Sequence, residues 1–173
     1  MRALALLLVA ALALAACRPG TDHAAHDAPP ADTRATPAPD PSLPVLTVYA
    51  TPQCGCCRLW VHHMEDEGFR VKTEYVESLA PVKTEYGIPD TLSACHTGVV
   101  DGYIIEGHVP AGAVKRLLAE RPEGAAGLSV PGMPVGSPGM EAEGVAPDTY
   151  DVLLVARGEA RPFARYEGVQ LLP

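Results

Sequence analysis

VLTVYATPQCGCCRLWVHHM, residues 45–64, joins three readings in one stretch. Residues 45–50 are apolar and β-branched, the composition of a buried strand. Three cysteines follow in four positions, Cys54, Cys56 and Cys57. A helix then begins: Trp60 and Met64 lie four apart and Val61 and Met64 three apart, one apolar face, which Gly68 closes. Cys54 and Cys57 form a C-x-x-C at the strand-to-helix junction, where free backbone N–H groups and the helix dipole stabilise thiolates. Cys56 is turned from Cys57 by about 100° around the helix, so it points towards whatever loop covers the helix end.

Working outward, residues 70–78 alternate as a second strand and residues 79–89 form a short helix closed by Gly87 and Pro89. Residues 97–110, TGVVDGYIIEGHVP, place two apolar runs about Asp101-Gly102, a strong hairpin signal. Pro110 opens a helix through AGAVKRLLAERP. Residues 127–141, GLSVPGMPVGSPGME, read as a long loop, and residues 150–168 as a closing hairpin about Arg157-Gly158. The order β-α-β-α-β-β-α, with a C-x-x-C between the first strand and its helix, predicts a thioredoxin-like α/β fold. Its mixed central sheet is flanked by helices and carries a C-terminal loop and hairpin extension. Pro89, in YGIPDTL, resembles the proline of the Ile-Pro-Thr-Leu stretch of thioredoxins with one extra residue, a candidate cis proline whose isomer is left open.

The chain has 173 residues, and three segments are expected. Residues 1–16 have the basic start and short Ala/Leu run of a signal peptide, too short for a membrane span. They end in Leu14-Ala15-Ala16-Cys17, which resembles the bacterial lipobox and assigns Cys17 to lipidation. Residues 17–43 then form a lipidated, Pro- and Ala-rich tether with too few large apolar groups to fold. Its His23 and His26 are read as incidental surface residues. Residues 44–173 are the globular domain. The whole chain carries 13 basic and 21 acidic side chains; losing Arg2 with the signal leaves 12 and a balance of −9. That acidity, without a basic stripe, argues against nucleic acid as a partner. The expected location is the periplasmic side of a bacterial envelope, held by lipid at Cys17.

With Cys17 set apart, four thiols remain: Cys54, Cys56, Cys57 and Cys95. Cys95 precedes the central hairpin, where the fold brings a loop over the C-x-x-C. A buried structural cysteine is the competing reading. Met133 and Met140 sit in a Gly/Pro-rich loop that presents side chains more readily than it packs them, although methionine commonly fills cores. Thiolates with thioethers are a soft donor set that favours Cu(I). Zinc competes, since four thiolates suit it too. However, three thiols crowded at one helix end differ from the paired C-x-x-C motifs of structural zinc. His96, beside Cys95, is a ligand or a tuning neighbour. His63, two turns along the helix from Cys56, is read as hydrogen-bonded to the fold, and His62 as solvent-facing. The approach of His108 to the site is left open, with a place outside it favoured.

TPQCGCCRLWVHHM, GIPDTLSACHTGVVDGYIIEGHVPAGAVKRLLAERP and GLSVPGMPVGSPGME, in that order over residues 45–141, together resemble the CopG-like copper-handling proteins of bacterial envelopes. The resemblance implies a thioredoxin-like fold that binds copper, often within copper-resistance systems. Its cysteine triplet falls on Cys54, Cys56 and Cys57; its Ser-Cys-His-Thr motif falls on Ser93, Cys95, His96 and Thr97, with Ala94 intervening. Its methionine loop falls on Pro131 to Glu141, and its Trp-x-x-His on Trp60 and His63. The expected function is copper binding, as Cu(I), in copper resistance or homeostasis, with redox chemistry of the metal left open. The partners implied are copper ions, other copper-resistance envelope proteins and the membrane through the lipid. The alternative is a thiol–disulfide oxidoreductase in which Cys54 attacks and Cys57 resolves.

Overall fold

In the computed structural model, residues 37–156 and 159–173 are described. The expectations for residues 1–16, for Cys17, His23 and His26, and for the Arg157-Gly158 turn lie outside the described residues.

The first strand, β1 (Leu46–Ala50), buries Leu46, Val48 and Ala50 on one face. The chain then turns through Thr51-Pro52-Gln53, with the Cys54 N–H donating to the Thr51 carbonyl at 3.1 Å, and enters α1 (Gly55–Asp66). Cys57, Trp60 and Met64 form the buried face of α1. The helix stops where Gly68 adopts φ +92°, a conformation that glycine reaches without steric cost. β2 (Val71–Tyr75) returns parallel to β1. The short helix α2 (Ala80–Glu85) and a 3₁₀ turn (Asp90–Leu92) lead into β3 (Thr97–Val100). β3 and β4 (Tyr103–Glu106) are an antiparallel hairpin. Both turn residues, Asp101 and Gly102, have positive φ, as the twist of a two-residue hairpin demands. α3 (Ala111–Glu120) buries Ala111, Ala113, Val114 and Leu117.

β2-β1-β3-β4 with α1 and α3 make the thioredoxin-like core, and four more strands extend the same sheet. β5 (Ala125–Ser129) runs parallel to β4, reached through α3 as the crossover. β6 (Thr149–Ala156) and β7 (Glu159–Glu167) form the long closing hairpin, and β8 (Gln170–Leu171) ends the eight-stranded order β2-β1-β3-β4-β5-β6-β7-β8. The sequence reading placed residues 127–129 in a loop; they are strand. Their segment, AAGLS, lacks β-branched residues, and Gly127 is required because a Cβ there would collide with the backbone of Ile104. The loop proper begins at Pro131.

Trp60 ties the core together. It is fully buried, and its indole N–H donates to the Val109 carbonyl at 2.9 Å, joining α1 to the β4–α3 link. His63 does the same one turn on, its Nε2 accepting the Ala111 N–H at 3.1 Å at the start of α3. At the N-terminal edge the Asp40 N–H donates to the Gly68 carbonyl at 2.9 Å, and Leu43 packs against the core.

Candidate metal centre

The four thiols converge. The sulfurs of Cys54, Cys56, Cys57 and Cys95 all lie within 4.8 Å of one another. Cys54 is the N-cap of α1, its sulfur accepting the Cys57 N–H at 3.3 Å, so the first free N–H groups of the helix face the cluster. Cys54 and Cys57 form a disulfide, and Cys56 and Cys95 are free thiols. Cys56 Sγ is 3.6 Å from Cys54 Sγ and 3.9 Å from Cys95 Sγ, which makes it the bridge between the helix end and the second loop.

Cys95 reaches the cluster from the segment entering β3, and its carbonyl oxygen lies 3.5 Å from Cys57 Sγ. The position facing the C-x-x-C is therefore Cys95, not Pro89. Pro89 caps the 3₁₀ turn instead, and no cis peptide bond occurs among the described residues, so the cis-proline expectation is corrected. Residues 90–94, with the 3₁₀ turn among them, lie between Pro89 and the Cys95 position that meets the helix end.

On its other side Cys95 meets two imidazoles. Its sulfur is 3.3 Å from His96 Nδ1 and 3.0 Å from His108 Nε2. His108 Nδ1 is 2.8 Å from the Pro138 carbonyl, which can only accept, so Nδ1 carries the proton and Nε2 presents a lone pair to the cluster. Carbonyl-anchored imidazoles of this kind are common around metals. His96 is fully buried between Trp60, with ring centroids 4.3 Å apart, and His108, at 5.0 Å. Its Nε2 has no hydrogen-bond partner among the described residues. An orphaned buried ring nitrogen is expensive in a protein interior, and it is the opposite nitrogen, Nδ1, that faces the cluster.

Electrostatically, Cys95, His96 and His108 favour their neutral forms. Burial, then the neighbouring Cys56, push the Cys95 thiol up to about 12. Burial holds His96 well below the ordinary imidazole range, with His108 and Lys83 adding to it, and burial likewise lowers His108. Such a site holds a thiol proton that a soft cation would displace, coupling metal uptake to proton release.

The loop over residues 131–141 closes the site from the C-terminal side. Gly139, with φ +81°, lies so close to α1 that a Cβ would sit 2.7 Å from the Trp60 nitrogen and 2.9 Å from the Cys56 carbonyl oxygen. The turn is held by the Gly139 N–H donating to the Glu141 carboxylate at 2.8 Å and the Met140 N–H donating to the Ser137 carbonyl at 2.7 Å. Met140 is half-buried immediately beside this contact, whereas Met133 is 53% exposed. Cys54, Cys56, Cys57 and Cys95 thus stand together, His96 lies against Cys95, Met140 follows Gly139 in the loop packed on α1, and Met133 stands in the exposed part of the loop. His108 belongs with the cluster although sequence reasoning did not place it there. The one local signal was its position between Gly107 and Pro110, at the strand end that faces α1.

A family described as a protein of unknown function, DUF411, matches residues 92–140. That span holds Cys95, His96, His108 and the methionine loop. No curated protein matches the chain. Among solved structures, two forms of the copper resistance protein CopG superpose. Form 1 is 41% identical, with a TM-score of 0.66, over 72% of this chain and 99% of that one. The chain belongs to the CopG family. Form 2 of the same protein gives 42% identity and a TM-score of 0.65 over 72% and 98%. The family assignment and the cysteine cluster agree on a metal-binding site within a thioredoxin-like fold.

Proposed function

We propose that this protein binds copper as Cu(I) through Cys54, Cys56, Cys57 and Cys95, and serves copper resistance in the bacterial envelope. The observation that carries the reading is the convergence of four sulfurs within 4.8 Å at a helix N-terminus. Four soft donors suit Cu(I) above harder cations. His96, Met140 and Met133 are proposed to support the thiolates, with zinc as the less favoured occupant. Reduction of the Cys54–Cys57 disulfide, which takes two electrons and two protons, supplies the two remaining thiols. The copper resistance protein whose two forms are 41% and 42% identical to this chain supports the choice of metal. Attachment through lipid at Cys17 would hold the domain at the periplasmic face, with other copper-resistance envelope proteins as its exchange partners.

Metal analysis of the protein purified from copper-grown cells tests the reading. Copper in excess of zinc is expected, and zinc alone would overturn it. Labelling of cells with a radioactive fatty acid tests the anchor: label retained by the wild type and lost in Cys17→Ser is expected.

A second reading is favoured by one observation. Cys54 is half-exposed and Cys57 is 1% exposed, the arrangement of an attacking and a resolving thiol. In that reading the reduced protein's Cys54 thiolate attacks a substrate disulfide, releasing one substrate thiolate. Cys57 then displaces the other, leaving the Cys54–Cys57 disulfide. Catalytic turnover that survives Cys56→Ser and Cys95→Ser would favour it over copper binding.

A further inference from the structure

The segment that delivers Cys95 is gripped from behind by a buried ion pair. Glu106, at the end of β4, is 1% exposed, and its side chain pairs with Lys83 of α2, whose own side chain is 15% exposed. The two hold opposite ends of one residue. Glu106 Oε1 accepts the Ala94 N–H at 2.6 Å, and Lys83 Nζ donates to the Ala94 carbonyl at 2.9 Å. Glu106 Oε2 also accepts the Thr97 hydroxyl at 2.7 Å, so both sides of Cys95-His96 are tied to one carboxylate. A third restraint is steric. Gly107, with φ +74°, approaches so closely that a Cβ would stand 2.6 Å from the Ala94 Cβ. Its N–H donates to the His96 carbonyl at 3.1 Å.

A buried ion pair is seldom the most stable way to fill such a space, because desolvation offsets much of its attraction. An apolar pair would fill the volume but strand the Ala94 N–H and carbonyl without partners. What this pair supplies, and an apolar pair would not, is a fixed backbone one residue before a cluster sulfur.

We propose that Lys83 and Glu106 are positioning residues for Cys95, clamping the Ala94 backbone so that the Cys95 sulfur is held within reach of Cys56. The proposal rests on the copper reading for its consequence, since a misplaced Cys95 weakens the metal site. Their hydrogen bonds go to each other, to Ala94 and to Thr97, not to a cluster sulfur.

The test uses the full-length reduced protein, titrated anaerobically with Cu(I) against bicinchoninate. Glu106→Leu and Lys83→Met should each weaken Cu(I) binding by roughly tenfold or more, the usual effect of removing a group that orients a ligand. Glu106→Gln, which keeps an acceptor for the Ala94 N–H, should recover most of the affinity. In a Cys95→Ser background the same substitutions should change affinity by no more than about twofold, because their effect runs through Cys95. Equal weakening with and without Cys95 would show general loosening and overturn the proposal, as would Glu106→Gln being as damaging as Glu106→Leu.

A copper-free readout separates this proposal from the copper reading. With Cys54–Cys57 left as a disulfide, diamide takes one hydrogen from each of Cys56 and Cys95 and joins them, and the rate is followed by peptide mass spectrometry. The clamp predicts a rate lower by about tenfold in Lys83→Met, because the two sulfurs lose their fixed approach. An unchanged rate rejects the clamp even if copper binds, and a slowed rate supports it even if copper does not. Where the single variants fail to fold, Lys83→Met/Glu106→Gln, which buries no unpaired charge, carries both readouts with the same expected direction.

Discussion

His108 Nε2 stands 3.0 Å from Cys95 Sγ, and the opposite nitrogen of the same ring is anchored to the Pro138 carbonyl. One imidazole therefore joins the cysteine cluster to the C-terminal loop that lies over α1. The cluster is assembled from three distant parts of the chain: the start of α1, the entry to β3 and residues 131–141. Copper affinity in this account depends on how those parts are held as well as on the sulfurs themselves.

His108→Ala should reduce Cu(I) affinity by about tenfold or more, with the fold retained. Competition against a Cu(I) chelator measures the first, and far-ultraviolet circular dichroism the second. His62→Ala, on the exposed side of α1, is the control and should leave affinity unchanged.

Gly139→Ala introduces a methyl group where the backbone of α1 already stands, 2.7 Å from the Trp60 nitrogen, at a φ that alanine tolerates poorly. The loop must lift or α1 must shift. A stability loss of about 1–3 kcal/mol by urea unfolding is expected, in the range of overpacked sites. Copper affinity should fall with it, although no donor has been changed.

Stability should fall in acid, and the sign follows from the buried imidazoles. His63, His96 and His108 are all held below the ordinary histidine range, chiefly by burial. Unfolded histidines take up protons as pH drops through about 6.5 while these folded ones remain neutral, so protonation favours the unfolded chain. The stabilisation is present above that pH and is lost as pH falls towards the depressed folded values. The urea midpoint of the metal-free protein should therefore be lower near pH 5.5 than near pH 7.5. His96→Phe, which preserves a ring against Trp60, should make that dependence shallower. An unchanged slope would place the effect elsewhere.

Copper uptake should be favoured by raising pH. The Cys95 thiol, pushed up to about 12, keeps its proton at neutral pH, and a cation must displace it. Calorimetry of Cu(I) loading in two buffers of different ionisation enthalpy should report net proton release.

Much of this was legible in the sequence because it is local. The face of Cys57, Trp60 and Met64 follows from helical spacing, and Asp101-Gly102 marks its hairpin through the φ > 0 its turn needs. The thioredoxin-like order follows from those elements. β5 was not legible, since Ala125, Ala126 and Gly127 carry no strand signature, and Gly127 is there to let the Ile104 backbone come close. The partnership of His108 with Pro138 spans 30 residues and arises only when the loop folds back over α1. The same holds for Lys83 and Glu106, 23 residues apart, whose pairing forms only when β4 and α2 are brought together. Pro89 misled because sequence likeness to a proline-bearing loop does not count the residues between that proline and β3.

The most direct test is an anaerobic Cu(I) competition titration of the fully reduced protein beside Cys56→Ser and the protein with its Cys54–Cys57 disulfide intact. Tight binding by the reduced wild type, with severe weakening in both comparisons, is the predicted result. Binding that survives Cys56→Ser and the disulfide unchanged, or no binding by the reduced wild type, would contradict the four-sulfur copper site.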